Sequence, residues 1–285
     1  MQIYPPVPTM YLKIFKDAKT KVIAEDPFCN QQVFYRLKDV VTAKNGRRIS
    51  TLNKKDVFAT ETSCNVFRYL NLHAIPTHYL GQIDQNTFLA QKTTVISLLV
   101  KIRRIPSGSY LKRHADVAEI INGRIFKDLV IDFQLKDDAL CDPTILVADK
   151  EKCFRLYISE QSLGHGYLKD IKIIPGLSED FDETKTDLKI IANIAEKAFL
   201  ILESAFKRFD ADLVDLCLQF GYSPKKTLVI SDVICGDTWS IRLLGDIKKG
   251  KDRNIYRECD EVTPEIYINL FDNYRWGAEI TAKFI

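Results

Sequence analysis

Residues 184–209, TKTDLKIIANIAEKAFLILESAFKRF, and the two runs behind them, DLVDLCLQF at 212–220 and KTLVISDVI at 226–234, carry the reading of the fold. Leu188, Ile191, Ala195, Ala198, Leu202, Ala205 and Phe209 recur at helical spacing, which predicts an amphipathic helix with one buried stripe. The two following runs are β-branched and apolar. Gly221-Tyr222-Ser223-Pro224 joins them, which signals a hairpin with a loop longer than two residues.

Working outward, Val57, Cys64, Phe67 and Leu70 predict a helix over Lys55–Leu72, ending before Ile75-Pro76-Thr77. Gln32–Leu37, Thr87–Gln91, Thr93–Ile102 and Leu129–Gln134 read as strands. Thr263-Pro264 reads as the capped start of a last helix, with Ile266, Leu270, Tyr274, Gly277 and Ile280 inward. Strands dominate the first part and mixed elements the second, so the expected class is α+β in two lobes rather than a doubly wound parallel sheet. The expected division is 1–100, a mostly antiparallel lobe with one helix, and 101–285, an α+β lobe. Residues 149–183 show little periodicity and are expected to form a surface excursion.

The chain has 285 residues, 46% of them hydrophobic, so it can bury a sizeable core without disulfides or metals. Lys and Arg total 41 and Asp and Glu 38. A net charge of +3 leaves no nucleic-acid footprint. No run reaches the roughly 18 apolar residues of a membrane span. Met1–Pro8 has three prolines and no apolar region of the kind a secretory signal needs. The seven cysteines are widely spaced, without CxxC, and are expected to be reduced thiols of a cytoplasmic protein. Neither GxGxxG nor a Walker GK[ST] occurs, and neither does an HRD or DFG, which makes a kinase-like phosphotransferase the weakest enzymatic reading.

Several polar groups stand where apolar pattern would be expected. Lys19 and Lys21, two residues apart, suit phosphates as point charges. Arg103-Arg104-Ile105-Pro106-Ser107-Gly108-Ser109 carries two arginines out of an apolar strand into a Ser-Gly-Ser turn, a candidate anion nest. Lys136-Asp137-Asp138-Ala139-Leu140-Cys141-Asp142-Pro143 gathers a lysine and three carboxylates, in either a turn or a polar cluster that orients an amine or a metal. Asp215 and Asp232 each interrupt an apolar strand, one in each arm of the hairpin, which makes them candidate ligands for Mg²⁺.

In that order, these segments resemble the SAICAR synthetase family, most closely the form found in animal bifunctional purine enzymes. Further matching segments are Lys38-Asp39, Thr42-Ala43 with Asn45, Ile75-Pro76-Thr77, Ser231 through Trp239, Lys251-Asp252 and Glu261-Val262-Thr263-Pro264-Glu265. The resemblance implies a two-lobed fold with ATP in the cleft. It implies an ATP- and Mg²⁺-dependent ligase that joins L-aspartate to the carboxylate of the phosphoribosyl imidazole CAIR. By position it places Lys19, Lys21 and Lys136 at the ATP phosphates and Asp232 at the metal. Asp215, Lys136 and Asp138 fall at the catalytic positions. Arg103, Ser109, Thr42, Asn45, Asp137, Asp142 and Arg253 fall at substrate-binding positions. The partners implied are small molecules, with a homo-oligomer an open alternative.

The chain departs from the family pattern at several of these places. Ala18 replaces a glycine, and Cys217 and Gln219 replace a lysine and a glutamate. Ser240 replaces an arginine, with Arg242 two residues on, and Thr60-Glu61 replace Asn-Lys. Arg253 replaces a lysine, and an apolar residue near Leu98–Lys101 replaces a glutamate. These changes leave two alternatives: a paralogue with another acceptor, or a protein that binds nucleotide or metabolite without turnover.

Overall fold

In the computed structural model the described residues are 13–43, 46–108, 110–111, 114, 116–160 and 164–285. The chain begins with three antiparallel strands, β1 (Ile14–Asp17), β2 (Lys21–Asp26) and β3 (Cys29–Leu37). A small hairpin follows, β4 (Val40–Ala43) with β5 (Arg48–Thr51), and then helix α1 (Lys55–Leu72). Strands β6 (Tyr79–Gln82) and β7 (Thr87–Gln91) complete a five-stranded sheet in the order β1-β2-β3-β7-β6. The span of α1 is the expected one. Its first turn is capped from outside, because Asp39 Oδ1 accepts from Asp56 N at 3.1 Å.

The rest of the chain builds a larger antiparallel sheet. Its members are β8 (Thr94–Val95), β9 (Leu98–Arg103), β10 (Val130–Leu135), β11 (Thr144–Ala148), β12 (Cys153–Glu160) and β13 (Gly164–Ile171), with a short α2 (Ala118–Ile121) between β9 and β10. Helix α3 (Phe181–Lys207) leads into β14 (Ala211–Tyr222), β15 (Leu228–Ser231), β16 (Trp239–Leu243) and β17 (Asp246–Gly250). A short α4 (Asn254–Glu258) and the last helix α5 (Pro264–Thr281) close the chain. The sheet order is β13-β12-β11-β10-β9-β14-β16-β17, with β15 and β8 paired to the outer end of β14. The named strands pair antiparallel and the helices stand singly between runs of strands, which is the expected α+β class.

Period-2 alternation decides what each face of this sheet does. On one side Leu98, Val100, Ile102, Leu216 and Leu218 are buried and share one core with Leu188, Ile191, Ala195, Ala198 and Leu202 of α3. On the other side stand Lys101 and Arg103 of β9, and Asp215, Cys217 and Gln219 of β14. Asp180 caps α3 by accepting from the N–H groups of Asp182 and Glu183, both at 2.9 Å. Thr263 Oγ1 accepts from Ile266 N at 3.4 Å, as the Thr-Pro signal predicts.

Three expectations need correction. Thr93–Ile102 is not one strand, because Ile96 turns into the core between β8 and β9. Residues 149–183 are not simply a surface excursion. Their strands β12 and β13 extend the sheet, and Phe154, Leu156 and Ile174 are fully buried. The segment also supports the site from behind: Pro175 O accepts from Ser97 N at 2.9 Å, and Ser97 O accepts from Lys136 N at 3.0 Å. Finally, β15 stops at Ser231, so Asp232 follows the strand rather than interrupting it, in a left-handed conformation with φ +70°.

The two sheets meet at a parallel bridge between Thr77 and Ile230. His78 N donates to Ile230 O and Ile230 N donates to Pro76 O, both at 2.9 Å.

Candidate active site

Asp232 is the hub of the first cluster. Lys21 Nζ, at the start of β2, donates to its Oδ1, and Gln219 Nε2 of β14 donates to its Oδ2. Lys136 Nζ, just past β10, donates to Gln219 Oε1 and lies 3.9 Å from Asp232 Oδ2. Burial raises the Asp232 carboxyl, but Lys21 and Lys136 outweigh it and hold the group below the ordinary carboxylate range. Burial also holds the Lys136 ammonium below the usual lysine range, against the pull of Asp232. Lys19 precedes β2 rather than sharing its face with Lys21, and its Nζ pairs with Asp138 Oδ2 at 2.8 Å. A Cβ on Gly46, at φ +82°, would stand 2.7 Å from that ammonium, so glycine gives Lys19 its path.

The second cluster lies further along the polar face of the sheet. Register pairs Asp215 with Arg103 on one side and with Ser240 on the other. Ser107 Oγ donates to Asp215 Oδ2 at 2.9 Å. Arg103 is 2% exposed, pairs with Asp132 and lies under the Tyr110 ring, with its Cζ 5.1 Å from the centroid. Its charge is therefore partly spent inside the protein. Ser240 Oγ accepts from Asn254 Nδ2 at 3.1 Å.

Cys217 bridges the two clusters. It faces Lys101 across the β9/β14 pair and lies within the electrostatic reach of Asp215, Arg257 and Asp142. Burial pushes its thiol up, so it stays protonated. Asp137 and Asp142 shape the turn after Lys136. Asp137 Oδ1 accepts from Ala139 N and Leu140 N, and Asp142 Oδ1 accepts from Asp137 N at 2.9 Å. Burial raises the Asp142 carboxyl, with Lys101 and Lys136 opposing the shift.

A third group was missed from sequence. Asp237 follows Gly236 in the β15–β16 loop, and Lys55 Nζ lies 2.8 Å from its Oδ2. Arg253 Nη1 lies 3.3 Å from Asp237 Oδ1, and the Tyr274 hydroxyl donates to that oxygen at 2.5 Å. Burial raises the Asp237 carboxyl, but Lys55 and Arg253 outweigh it and hold it well below the usual range. Arg253 Nη1 also donates to Thr42 O at 3.2 Å, which brings two expected substrate-binding residues together. The signal for this group was the polarity of Gly236-Asp237-Thr238 between apolar strands, but nothing in the spacing named Lys55 as its partner.

Ser109 and Asn45 lie outside the described residues. Thr60 and Glu61 sit on α1, where Thr60 is fully buried and Glu61 lies beside Cys64, and among the described residues no side-chain hydrogen bond or ion pair joins either to the two clusters. The idea that Asp215 and Asp232 share one metal does not hold. Gln219, four residues beyond Asp215 on the same strand, is the residue that reaches Asp232, and four residues span about 13 Å of strand. Among the described residues no cluster of three His, Cys, Asp or Glu side chains could hold an ion by itself.

A family model described as SAICAR synthetase matches residues 18–263. The chain belongs to the SAICAR synthetase family. A phosphoribosylaminoimidazole-succinocarboxamide synthase of Chloroflexus aurantiacus is 30% identical over 95% of this chain and 96% of its own length. The bifunctional purine synthesis protein purC/E of Dictyostelium discoideum is 32% identical over 94% of this chain, which spans only 26% of that larger protein. A solved structure titled "SAICAR synthetase (Type-2) in complex with ADP" shares the fold, with a TM-score of 0.69 at 22% identity over 91% of this chain and 96% of that one. The range matched by the family model includes residues 149–183, where the sequence match to family motifs is poorest. The two clusters fall inside the matched range, on segments where the family resemblance was read.

Proposed function

We propose that this chain is an ATP-dependent carbon–nitrogen ligase that joins the amine of L-aspartate to the carboxylate of CAIR, giving SAICAR, ADP and phosphate. The carrying observation is the convergence of Lys21 and Lys136 on Asp232, with Lys19 at the same edge. Three ammonium groups drawn from two separate segments suit a polyphosphate. The site joins that cationic end to a polar sheet face where Asp215 is held by Ser107. The relative of known fold that carries ADP supports the nucleotide assignment.

The residues present fit a metal only in part. Mg²⁺ commonly takes one or two carboxylates and completes its shell with phosphates and water. Asp232 offers one carboxylate, and Gln219 stands where a second would be expected. Bound there, Mg²⁺ would supply charge neutralisation at the phosphates. In the proposed reaction a carboxylate oxygen of CAIR attacks the γ-phosphorus of ATP and ADP leaves. The aspartate amine then attacks the acyl carbon, phosphate leaves, and the amine gives up its proton. In this reading Lys136 is the ammonium that follows charge from the phosphoryl group to the acyl oxygen. Catalysis of this kind rests on positioning and electrostatics. The test is ADP release from ATP, CAIR and aspartate, with omission of CAIR or aspartate as the control. No release above the controls overturns the proposal.

One observation favours a second reading, a binding protein without turnover. Gln219 holds both Asp232 and Lys136 through its amide, where an anionic side chain would leave Asp232 without that donor. Under this reading the native chain binds ADP but is idle, and Gln219→Glu with Ser240→Arg turns over.

A further inference from the structure

The hairpin of β4 and β5 follows the first three strands in sequence, yet among the described residues it pairs with no strand of either large sheet. Its apolar side packs elsewhere. Val41, Ala43 and Leu52 share a buried cluster with Tyr256 of α4 and with Leu270 and Tyr274 of α5, apart from the main core. A segment from the start of the chain is therefore carried by its last two helices.

The fastening centres on Arg48 of β5. Helix α4 has five residues, too few to hold by itself, and the carbonyls at and beyond its end need partners from outside. Arg48 supplies them. Its Nη1 donates to Tyr256 O at 2.9 Å and to Cys259 O at 2.7 Å, and its Nη2 donates to Asp260 O at 2.7 Å. Its Cζ lies 5.7 Å from the centroid of the Tyr256 ring, and the Tyr256 hydroxyl donates to Ser50 Oγ at 2.8 Å. At the other end of α4, Arg253 O accepts from Tyr256 N at 3.0 Å and from Arg257 N at 3.1 Å. The Arg253 guanidinium reaches back to the hairpin at Thr42 O, beside Asp237. The hairpin thus grips α4 twice, at its start through Thr42 and at its end through Arg48.

We propose that Arg48 is a positioning residue: by closing the carbonyl end of α4 it sets the placement of Arg253 in the site. The identity of the substrate affected rests on the ligase reading, in which Arg253 serves CAIR rather than ATP. The planar fork of an arginine spans three carbonyls from two nitrogens, and the point charge of a lysine follows that geometry only in part. Among the described residues the contacts of Arg48 are to carbonyls, the Cys259 thiol and the Tyr256 ring, so its loss loosens α4 without stripping a carboxylate of its partner.

Hydrogen exchange of the full chain, read by mass spectrometry, tests the fastening, and calorimetric titration with CAIR and with ADP tests what it serves. In Arg48→Met, exchange across residues 253–260 quickens roughly fivefold while α1 and α3 keep their native rates. CAIR affinity falls about tenfold, ADP affinity stays level, and Arg48→Lys recovers part of the CAIR loss. A merely structural role would weaken both ligands alike. Tyr256→Phe removes the hydroxyl bond to Ser50 alone and gives the same pattern at roughly threefold, so its result stands even if Arg48→Met folds poorly. The proposal is overturned if exchange across 253–260 is native in both variants, or if CAIR affinity falls no more than ADP affinity. If the native chain does not bind CAIR, the ligase reading fails, and exchange alone then upholds or overturns the hold of Arg48 on α4.

Discussion

Lys55 Nζ stands 2.8 Å from Asp237 Oδ2, and the lysine side chain is 1% exposed. A helix start is thereby tied to a loop 182 positions later in the sequence, inside the protein. Removing one partner of such a pair leaves the other charged and uncompensated. Lys55→Met is expected to cost about 3–5 kcal/mol of stability, read from urea unfolding. The double variant Lys55→Met/Asp237→Asn should lose less than the single one. Equal losses would show that packing, not charge, sets the cost.

Gln219→Glu replaces an amide donor by a carboxylate next to Asp232. Without Mg²⁺, ADP affinity should fall, because negative charge is added beside Lys21 and Lys136. With Mg²⁺ it should rise by about tenfold, the scale of one charge-assisted contact. Titration of ADP with and without the ion reads both signs. A variant insensitive to Mg²⁺ would remove Asp232 and Gln219 from any metal role.

His78 is fully buried among Tyr35, Phe67 and Phe88, and both ring nitrogens lack hydrogen-bond partners among the described residues. Burial lowers its pKa to about 4 from an unfolded value of 6.5. The unfolded chain therefore binds the proton more readily between those two values. Stability from this group is complete above pH 6.5 and declines as pH falls toward 4, by about 3 kcal/mol in all. Unfolding curves at pH 5 and pH 7.5 should differ more for the native chain than for His78→Leu.

Gly176 has φ +92°, and a Cβ there would come within 2.5 Å of Val95 O. Gly176→Ala is expected to destabilise by about 2 kcal/mol or more. The displaced backbone is that of Val95 and Ile96, next to Ser97, which accepts from Lys136 N. Nucleotide affinity measured on the folded fraction should fall as well. An unchanged affinity would show that Lys136 is held independently of this loop.

Ser107→Ala removes the hydroxyl that fixes Asp215 Oδ2. Turnover should drop by about tenfold, the weight of one hydrogen bond of roughly 1 kcal/mol or a little more. The melting temperature should stay unchanged, because Ser107 is only partly buried.

Much of the architecture could be read from periodicity. The span of α1, the Thr263-Pro264 start of α5 and the hairpin of β14 and β15 all follow from spacing and caps that act within one or two turns of chain. Residues 153–171 escaped because their strands pair at a sheet edge, with Gly164 and Gly166 breaking the alternation. In the site, the residues with family motifs were legible, but their partners were not. In sequence Lys101 is one charge inside the strand-like run 93–102, and Cys217 stands where the family pattern has a lysine. Only the strand register sets the one against the other, and register joins residues 116 positions apart. Asp237 was invisible for the same reason, since its partners come from α1, the start of α4 and α5.

The bridge between Thr77 and Ile230 has a mechanical consequence. Ile230 is pinned by Pro76 on one side and His78 on the other, and Asp232 is two residues further on. Lys21 grips the same carboxylate from the smaller sheet. A load applied at Asp232 is shared at once by backbone rivets to both sheets, so the two sheets cannot peel apart at that edge like the covers of a book.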